Sequence, residues 1–190
     1  MSDQLAGKRI AFLVANEGVE EVELTAPWEA VRAAGGLAVL VAPESGDVQA
    51  FNHLDKGHHF PVDVRTAEAE VDDFDGVVLP GGVANPDALR LDDPALEFLR
   101  IWTERGKPVA AICHAPATLN EAGVLDGKQL TSWPSLRTDL QNAGAVWRDE
   151  PVVRCDEQGW TLVSSRRPDD LDAFDHELVE VFGSVPAAVS

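Results

Sequence analysis

The chain has 190 residues, of which 45% are hydrophobic and 25% are charged, and its formal net charge is −18. This composition is typical of a globular protein and excludes a disordered or fibrous one, and no apolar run approaches the roughly 20 residues of a membrane helix. A surface this acidic repels phosphates and anionic lipids, so we expect neither a nucleic-acid partner nor a membrane partner. The N-terminal residues lack the basic start and long apolar core of a secretion signal, which indicates a cytoplasmic protein.

Short apolar runs alternate with helix-forming segments along the whole chain, and glycines and prolines separate them. The predicted elements, in chain order, are a strand over 8–15, a turn over 16–21, a helix over 22–36 in which Pro27 marks a late start or a kink, a strand over 37–46, a hairpin at the sheet edge over 47–63, a strand over 76–79, a helix over 92–106, a strand over 108–113, a helix over 114–123, a strand over 128–133, a helix over 134–144, an antiparallel excursion over 145–166 and a helix over 168–183.

This alternation predicts an α/β fold with a doubly wound, mainly parallel sheet and helices on both faces. The antiparallel excursion is a small addition near the C-terminal end. No repeat, low-complexity tract or linker divides the sequence. We therefore predict a single domain over 1–190, with its core at about 8–183.

The stretch PVAAICHAPATL, residues 108–119, places a cysteine where a buried strand gives way to a helix. In an α/β fold that point lies at the carboxyl edge of the sheet, where ligands and catalytic groups gather. Residues 111–115 have the spacing of a nucleophile elbow, with alanines in place of the flanking glycines. The helix that follows should favour the thiolate and lower the pKa of Cys113. The alternative for Cys113 is a small core residue that ends a strand.

Backbone N–H groups near Cys113 are candidate donors to an oxyanion that forms during the reaction. One is the N–H of His114, and another is the N–H of Gly82, because LPGG ends a neighbouring predicted strand and a glycine allows close approach to a substrate. The His114 side chain is a candidate acid and base; the alternative is a capping or surface histidine. Cys155 has no adjacent base and is interpreted as structural or incidental. A cytoplasmic setting disfavours a disulfide between the two cysteines.

Five parts of the sequence, taken in order, resemble the ThiJ/PfpI family, and the resemblance runs from about Lys8 to Phe182. They are GVEEVELTAP, VVLPGG, AICHAP, LTSW with NAGAVW, and SSRRPDDLDAF. The cysteine followed by histidine points to the PfpI branch, whose members are described as intracellular proteases and as deglycases. The resemblance implies a flavodoxin-like fold and a homodimer or higher homo-oligomer.

The resemblance also implies roles for three further residues. Glu23 matches a carboxyl group that reaches over the cysteine sulfur and, when protonated, donates a hydrogen bond to the thiolate; its alternative is an ordinary first-turn acid that the helix dipole favours. Asp87 lies near the position of an acid that comes from a neighbouring subunit and orients the histidine; its alternative is a turn residue. Trp133 stands where relatives carry His or Tyr, either as a wall of the site or as a packed aromatic.

Taken together, these residues predict a cysteine-dependent hydrolase of the stress response that acts on small aldehydes or on glyoxal and methylglyoxal adducts of protein. Peptide hydrolysis by the same groups is the alternative reaction. A cysteine-oxidation sensor or chaperone without turnover, and a binding module without chemistry, are alternatives from other classes. We expect no organic cofactor, because a dinucleotide fingerprint and a P-loop are both absent. We also expect no metal, because His53, His58 and His59 match no ligand spacing and indicate a solvated loop.

Overall fold

The structure is a computed structural model and describes residues 3–185. Its strands are β1 (Arg9–Leu13), β2 (Glu17–Glu20), β3 (Leu37–Ala42), β4 (Asp47–Asn52), β5 (Asp55–Pro61), β6 (Val64–Arg65), β7 (Gly76–Leu79), β8 (Val109–Ile112), β9 (Gln129–Leu130), β10 (Val146–Trp147), β11 (Val152–Cys155) and β12 (Leu162–Ser165). Its α-helices are α1 (Glu21–Ala33), α2 (Ala84–Leu89), α3 (Asp93–Glu104), α4 (Pro116–Ala122), α5 (Arg137–Asn142) and α6 (Leu171–Ser184).

Seven strands form the central sheet in the order β11-β12-β8-β7-β1-β3-β6. Neighbouring strands run parallel except for the edge pair β11 and β12. The inner strands β7 and β8 are buried at every position, which is why their sequences are continuous apolar runs. The fold is therefore the predicted doubly wound α/β sheet of flavodoxin-like type, with one antiparallel strand at its edge.

Two apolar layers, one on each face of the sheet, hold the fold together. Leu24 of α1 and Phe174 of α6 belong to one layer, and Leu99 of α3 and Leu119 of α4 belong to the other. Each of these side chains is at most 1% exposed, so each contributes about 1.5–3 kcal/mol from burial. The two layers fix the sheet between its helices and leave its carboxyl edge open to the site.

Several local predictions are wrong. Residues 47–63 do form a hairpin, but β4 and β5 join β2, part of the predicted turn, in a separate three-stranded sheet. Most of β5 is exposed, so it lacks the two apolar faces that a central strand needs. The strand predicted over 128–133 shrinks to β9, which pairs with β10 outside the central sheet. Helix α1 begins at Glu21 and continues through Pro27, although that residue has no N–H to donate to the carbonyl of Glu23.

Helix α2 has no counterpart among the predicted elements. Its six residues lie directly after the LPGG segment, where the glycines and prolines indicate only a turn. Within residues 3–185, no helix is long and apolar enough to cross a membrane.

Candidate active site

A strained turn after β8 holds Cys113. Its φ of 63° lies in the left-handed region, which is rare for any residue other than glycine. Its N–H donates to the carbonyl of Ser165 at 3.0 Å, and its carbonyl accepts the N–H of Trp133 at 2.8 Å. The N–H of Ala115 closes the turn on the carbonyl of Ile112 at 3.0 Å. The backbone around the sulfur is therefore fixed from both sides, which is how strain is kept at a functional position.

Two glycines of the LPGG segment allow the backbone to lie against this turn. A Cβ atom on Gly81 would lie 2.4 Å from Oε2 of Glu23 and 2.7 Å from Cβ of Cys113. Gly82 has a φ of 87°, and a Cβ atom there would lie 2.3 Å from the carbonyl oxygen of Gly18. Neither position accepts a side chain without moving backbone, so the sequence needs glycine at both.

Glu23, in the first turn of α1, is fully buried beside the cysteine. Its Oε2 accepts the N–H of Gly81 at 3.0 Å. Its Oε1 has no partner with hydrogen-bonding geometry among the described residues, and the carboxyl group faces the Cys113 thiol. Burial raises the pKa of Glu23 to about 7, and the nearby charge of Glu20 acts in the same direction. Near neutral pH the carboxyl group is therefore partly protonated and able to donate to the sulfur.

The prediction that the turn lowers the pKa of Cys113 is wrong. The N–H groups of Gly82 and His114 do face the sulfur and favour the thiolate, but burial and the negative charge of Glu23 have larger effects and raise the pKa. Only 6% of Cys113 is exposed, so water stabilises the thiolate poorly. The resting thiol therefore needs a base to take its proton.

His114 lies in position to be that base. Its Nδ1 is 3.2 Å from Sγ of Cys113, and its Nε2 is 3.4 Å from Oγ of Ser135. Its ring stacks on Trp133, with centroids 5.6 Å apart and planes inclined by 24°. Burial lowers the pKa of His114, so its imidazole is neutral near pH 7 and able to accept a proton.

Ser135 was not identified from the sequence. If Nδ1 of His114 is to accept the thiol proton, Nε2 must carry the ring hydrogen, and Ser135 is the group that can accept it. The only sequence signal was a hydroxyl two residues after Trp133, which is too common to single out.

Asp87 does not complete a triad within one chain. It lies exposed on α2, and no hydrogen bond or ion pair joins it to His114 within residues 3–185. An orienting role for Asp87 therefore requires a second subunit and stays a proposal.

A cavity of about 720 Å³ opens above the cysteine. The β4–β5 hairpin covers one side with Phe51 and with the tip residue Leu54, which is 93% exposed. The start of α2 forms another side, and Trp133 also lines the cavity. Its walls are mostly apolar, and its acidic lining residues are Glu17, Glu20 and Glu23.

The remaining sequence candidates lie in different settings. His58 binds Glu21 through both its N–H and its Nδ1, each at 2.7 Å, and thereby anchors the hairpin to α1. His53 is exposed in the turn at the hairpin tip, as predicted for a solvated loop, and it also lines the cavity. Cys155 is buried, and its Sγ accepts the N–H of Gln129 at 3.2 Å, consistent with a structural role.

Comparison with known proteins identifies the family. The sequence model of the DJ-1/PfpI family matches residues 8–181. This chain belongs to the DJ-1/PfpI family. The Pyrococcus furiosus protein named deglycase PfpI is 40% identical over 173 residues, 91% of this chain and 98% of that protein. YraA of Bacillus subtilis, named provisionally as a cysteine protease, is 39% identical over 170 residues, 90% of this chain and 95% of its own length.

Solved structures agree with this family assignment. The crystal structure of Drosophila melanogaster DJ-1beta has a TM-score of 0.81 and 30% identity, and the match covers 97% of this chain and 92% of that one. The predicted resemblance to the ThiJ/PfpI family is thus confirmed over nearly the whole chain.

Proposed function

We propose that this chain is a cysteine-dependent hydrolase of the stress response, acting on small aldehydes or on the adducts that glyoxal and methylglyoxal form with protein. The observation that carries the proposal is Sγ of Cys113 at the floor of the cavity, 3.2 Å from Nδ1 of His114 and facing the buried Glu23. The names of the two sequence relatives support a cysteine-hydrolase type of enzyme.

The first step is addition of the sulfur to an aldehyde carbon. Neutral His114 accepts the thiol proton while the C–S bond forms and the carbonyl π electrons move onto oxygen. The N–H groups of Gly82 and His114 are the donors available to that oxygen. Protonated Glu23 stabilises the thiolate while it forms and when it is released. This division of roles explains how a thiol whose pKa is raised still reacts.

For a 2-oxoaldehyde, the following steps need no external oxidant. The imidazolium of His114 first returns its proton to the alkoxide, which gives a hemithioacetal. Neutral His114 then moves the proton of the former aldehyde carbon to the neighbouring ketone carbon, and the hydroxyl proton of the hemithioacetal passes to the ketone oxygen, so one carbon is oxidised while the other is reduced. The product is a thioester on Cys113, which one water molecule hydrolyses to free thiol and a 2-hydroxy acid. The sum for methylglyoxal is addition of one water to give lactate.

Asp87 of a neighbouring subunit is proposed to orient His114 in the assembled enzyme. Its exposure on α2, next to the lining residue Ala88, supports this role. Mixing equal amounts of Asp87→Asn and Cys113→Ser subunits tests it. If the acid acts across the interface, each mixed dimer has one site with both residues intact, so a random mixture should recover about a quarter of the wild-type activity. If the acid acts within its own subunit, no intact site forms. Two variants that stay inactive on mixing, despite exchange of subunits, would contradict the proposal.

Lactate formation from methylglyoxal tests the function, with the wild type compared with Cys113→Ser. Cys155→Ser is the matched control, because it removes the other thiol. We expect turnover by the wild type and the control and none by Cys113→Ser. Casein hydrolysis without lactate formation would favour the peptidase. Absence of both, together with peroxide-dependent modification of Cys113, would favour the sensor.

A further inference from the structure

Two acidic side chains stand at the mouth of the cavity above the catalytic groups. Glu17 and Glu20, at the two ends of β2, both line it, and Glu17 is exposed. Glu20 accepts the N–H of His53 at 3.1 Å, which holds its carboxylate beside the hairpin tip. Its charge also reaches the interior, because it contributes to the raised pKa of Glu23. The entrance to Cys113 is therefore negatively charged.

No lysine or arginine is among the described residues that line the cavity. Arg167 precedes the lining residue Pro168, but its guanidinium lies 3.5 Å from a carboxylate oxygen of Asp169. The nearby Arg166 is bound to Asp149 and Asp170. Both arginines are thus already paired with acids, and Lys56, which pairs with the lining residue Phe51 across the hairpin, does not itself line the cavity.

One carboxyl oxygen in the cavity wall lacks a partner. Oε1 of Glu23 is buried and has no hydrogen-bond partner with suitable geometry among the described residues. A buried oxygen of this kind is costly unless a donor meets it. This carboxyl group faces the Cys113 thiol, so an anionic group brought to the sulfur would also meet a buried acid.

We propose that the site selects substrates by charge, favouring molecules whose non-reacting part is positively charged and disfavouring those that carry a carboxylate or phosphate. Glu17 and Glu20 are the specificity-determining residues, and the apolar walls formed by Phe51 and Leu54 accept the uncharged part of the substrate. A charged, low-dielectric entrance of this kind concentrates counter-ions and changes association rates by 10-fold or more. The selection deepens the proposed function but acts on any reagent that approaches Cys113.

Methanethiosulfonate reagents that differ only in charge test this without requiring turnover. The sulfur of Cys113 attacks the sulfenyl sulfur, forms a mixed disulfide and releases methanesulfinate. The labelling rate of each reagent, trimethylammonioethyl or sulfonatoethyl, is divided by the rate at which the same reagent modifies free 2-mercaptoethanol, which corrects for its intrinsic reactivity. Peptide mapping assigns the label to Cys113. We expect a normalised cation preference of about 10-fold at low salt, decreasing as added salt screens the charges.

Glu17→Gln and Glu20→Gln should each reduce that preference by about threefold. Glu97→Gln is the matched control: it removes the same charge from an exposed position on α3 that does not line the cavity. An unchanged preference in both mouth variants, or an equal loss in Glu97→Gln, would overturn the proposal. The second outcome would assign the preference to the net charge of −18 instead.

Turnover of substituted phenylglyoxals separates this inference from the proposed function. The trimethylammoniomethyl and carboxymethyl derivatives carry their charges beyond a methylene group, and the neutral parent is the reference. We expect kcat/KM to be about 10-fold higher for the cationic than for the anionic substrate, and the ratio to fall in Glu17→Gln. Equal values for both charges would overturn the charge selection and leave the proposed function standing. If the neutral parent is not turned over, the hydrolase proposal loses support while labelling still tests the selection.

Discussion

The two cysteines of this chain are buried to nearly the same degree, with 6% of Cys113 and 4% of Cys155 exposed. Cys155 ends β11, and its sulfur accepts a backbone N–H from Gln129. Cys113 follows β8 with a φ of 63°, lies against His114 and lines a cavity. Burial therefore does not distinguish the candidate nucleophile from the core thiol. The distinguishing features are a strained backbone, a base within reach and space for a substrate.

Neighbouring charge does not distinguish them either. Lys128 is buried close enough to Cys155 for the two to interact, and burial lowers the pKa of that lysine to about 8. Cys113 instead faces Glu23, whose carboxylate, when ionised, opposes formation of a thiolate. A search for a cysteine beside a cation would select Cys155. Geometry, not local charge, makes Cys113 the candidate nucleophile.

The largest expected effect is loss of turnover on removing one thiol and not the other. Cys113→Ser should lower the rate of lactate formation from methylglyoxal by at least about 10³-fold, because the hydroxyl is a much weaker nucleophile in this setting. Cys155→Ser should keep the rate within about twofold. Equal losses in the two variants would show that folding, and not chemistry, explains the effect.

Glycine replacements compare the rigidity of the two regions. Gly82→Ala should lower the free energy of unfolding by about 3 kcal/mol, because its Cβ meets the carbonyl oxygen of Gly18 and its φ is positive. Gly159→Ala, near Cys155, should cost only about 1 kcal/mol, since its φ is 79° but nothing lies within 4 Å of the added atom. Urea denaturation measures both, and equal costs would argue against tight packing around Cys113.

The buried acid beside Cys113 should make stability depend on pH. Because the pKa of Glu23 rises from 4.5 to about 7 on folding, the native state binds more protons between those values, and stability falls as pH rises through them. Glu23→Gln should remove this dependence, so its free energy of unfolding should rise relative to wild type by about 3 kcal/mol from pH 4.5 to 8.

Asp175 also makes stability depend on pH, and comparison with Glu23→Gln removes its contribution. Burial also raises the pKa of Asp175 to about 7, so it contributes in the same pH range. It is present in both proteins, and its effect cancels in the difference. A constant difference across the pH range would mean that Glu23 is ionised in the native state.

The smallest predicted effect concerns the orientation of His114. Ser135→Ala should lower kcat by about threefold to tenfold and change the pH profile of kcat, because Nε2 of His114 loses its acceptor. Ser135→Thr keeps the hydroxyl and should restore both. A variant that changes only the free energy of unfolding would show that Ser135 is structural.

The parts of the site that were predictable from sequence are local. The elbow is recognisable because residues 111–115 are consecutive, with Cys113 at the end of a strand and His114 directly after it. The glycines of LPGG likewise predict that the loop after the neighbouring strand lies close to Cys113. The direction of the Cys113 pKa shift was predicted wrongly, because it depends on burial and on Glu23, which is distant in the chain and is brought to the sulfur by α1. Ser135 and the position of the β4–β5 hairpin escaped prediction for the same reason, since both depend on packing between segments that are far apart in sequence.

Mass spectrometry of the enzyme during turnover shows whether Cys113 forms a covalent bond with the substrate. Wild-type enzyme is mixed with excess methylglyoxal, quenched in acid within the first turnovers, digested and mapped. We expect a covalent adduct on the peptide that contains Cys113 and none on the peptide that contains Cys155, with the adduct disappearing as substrate is consumed. Turnover that proceeds with Cys113 unmodified, or that persists in Cys113→Ser, would contradict this expectation.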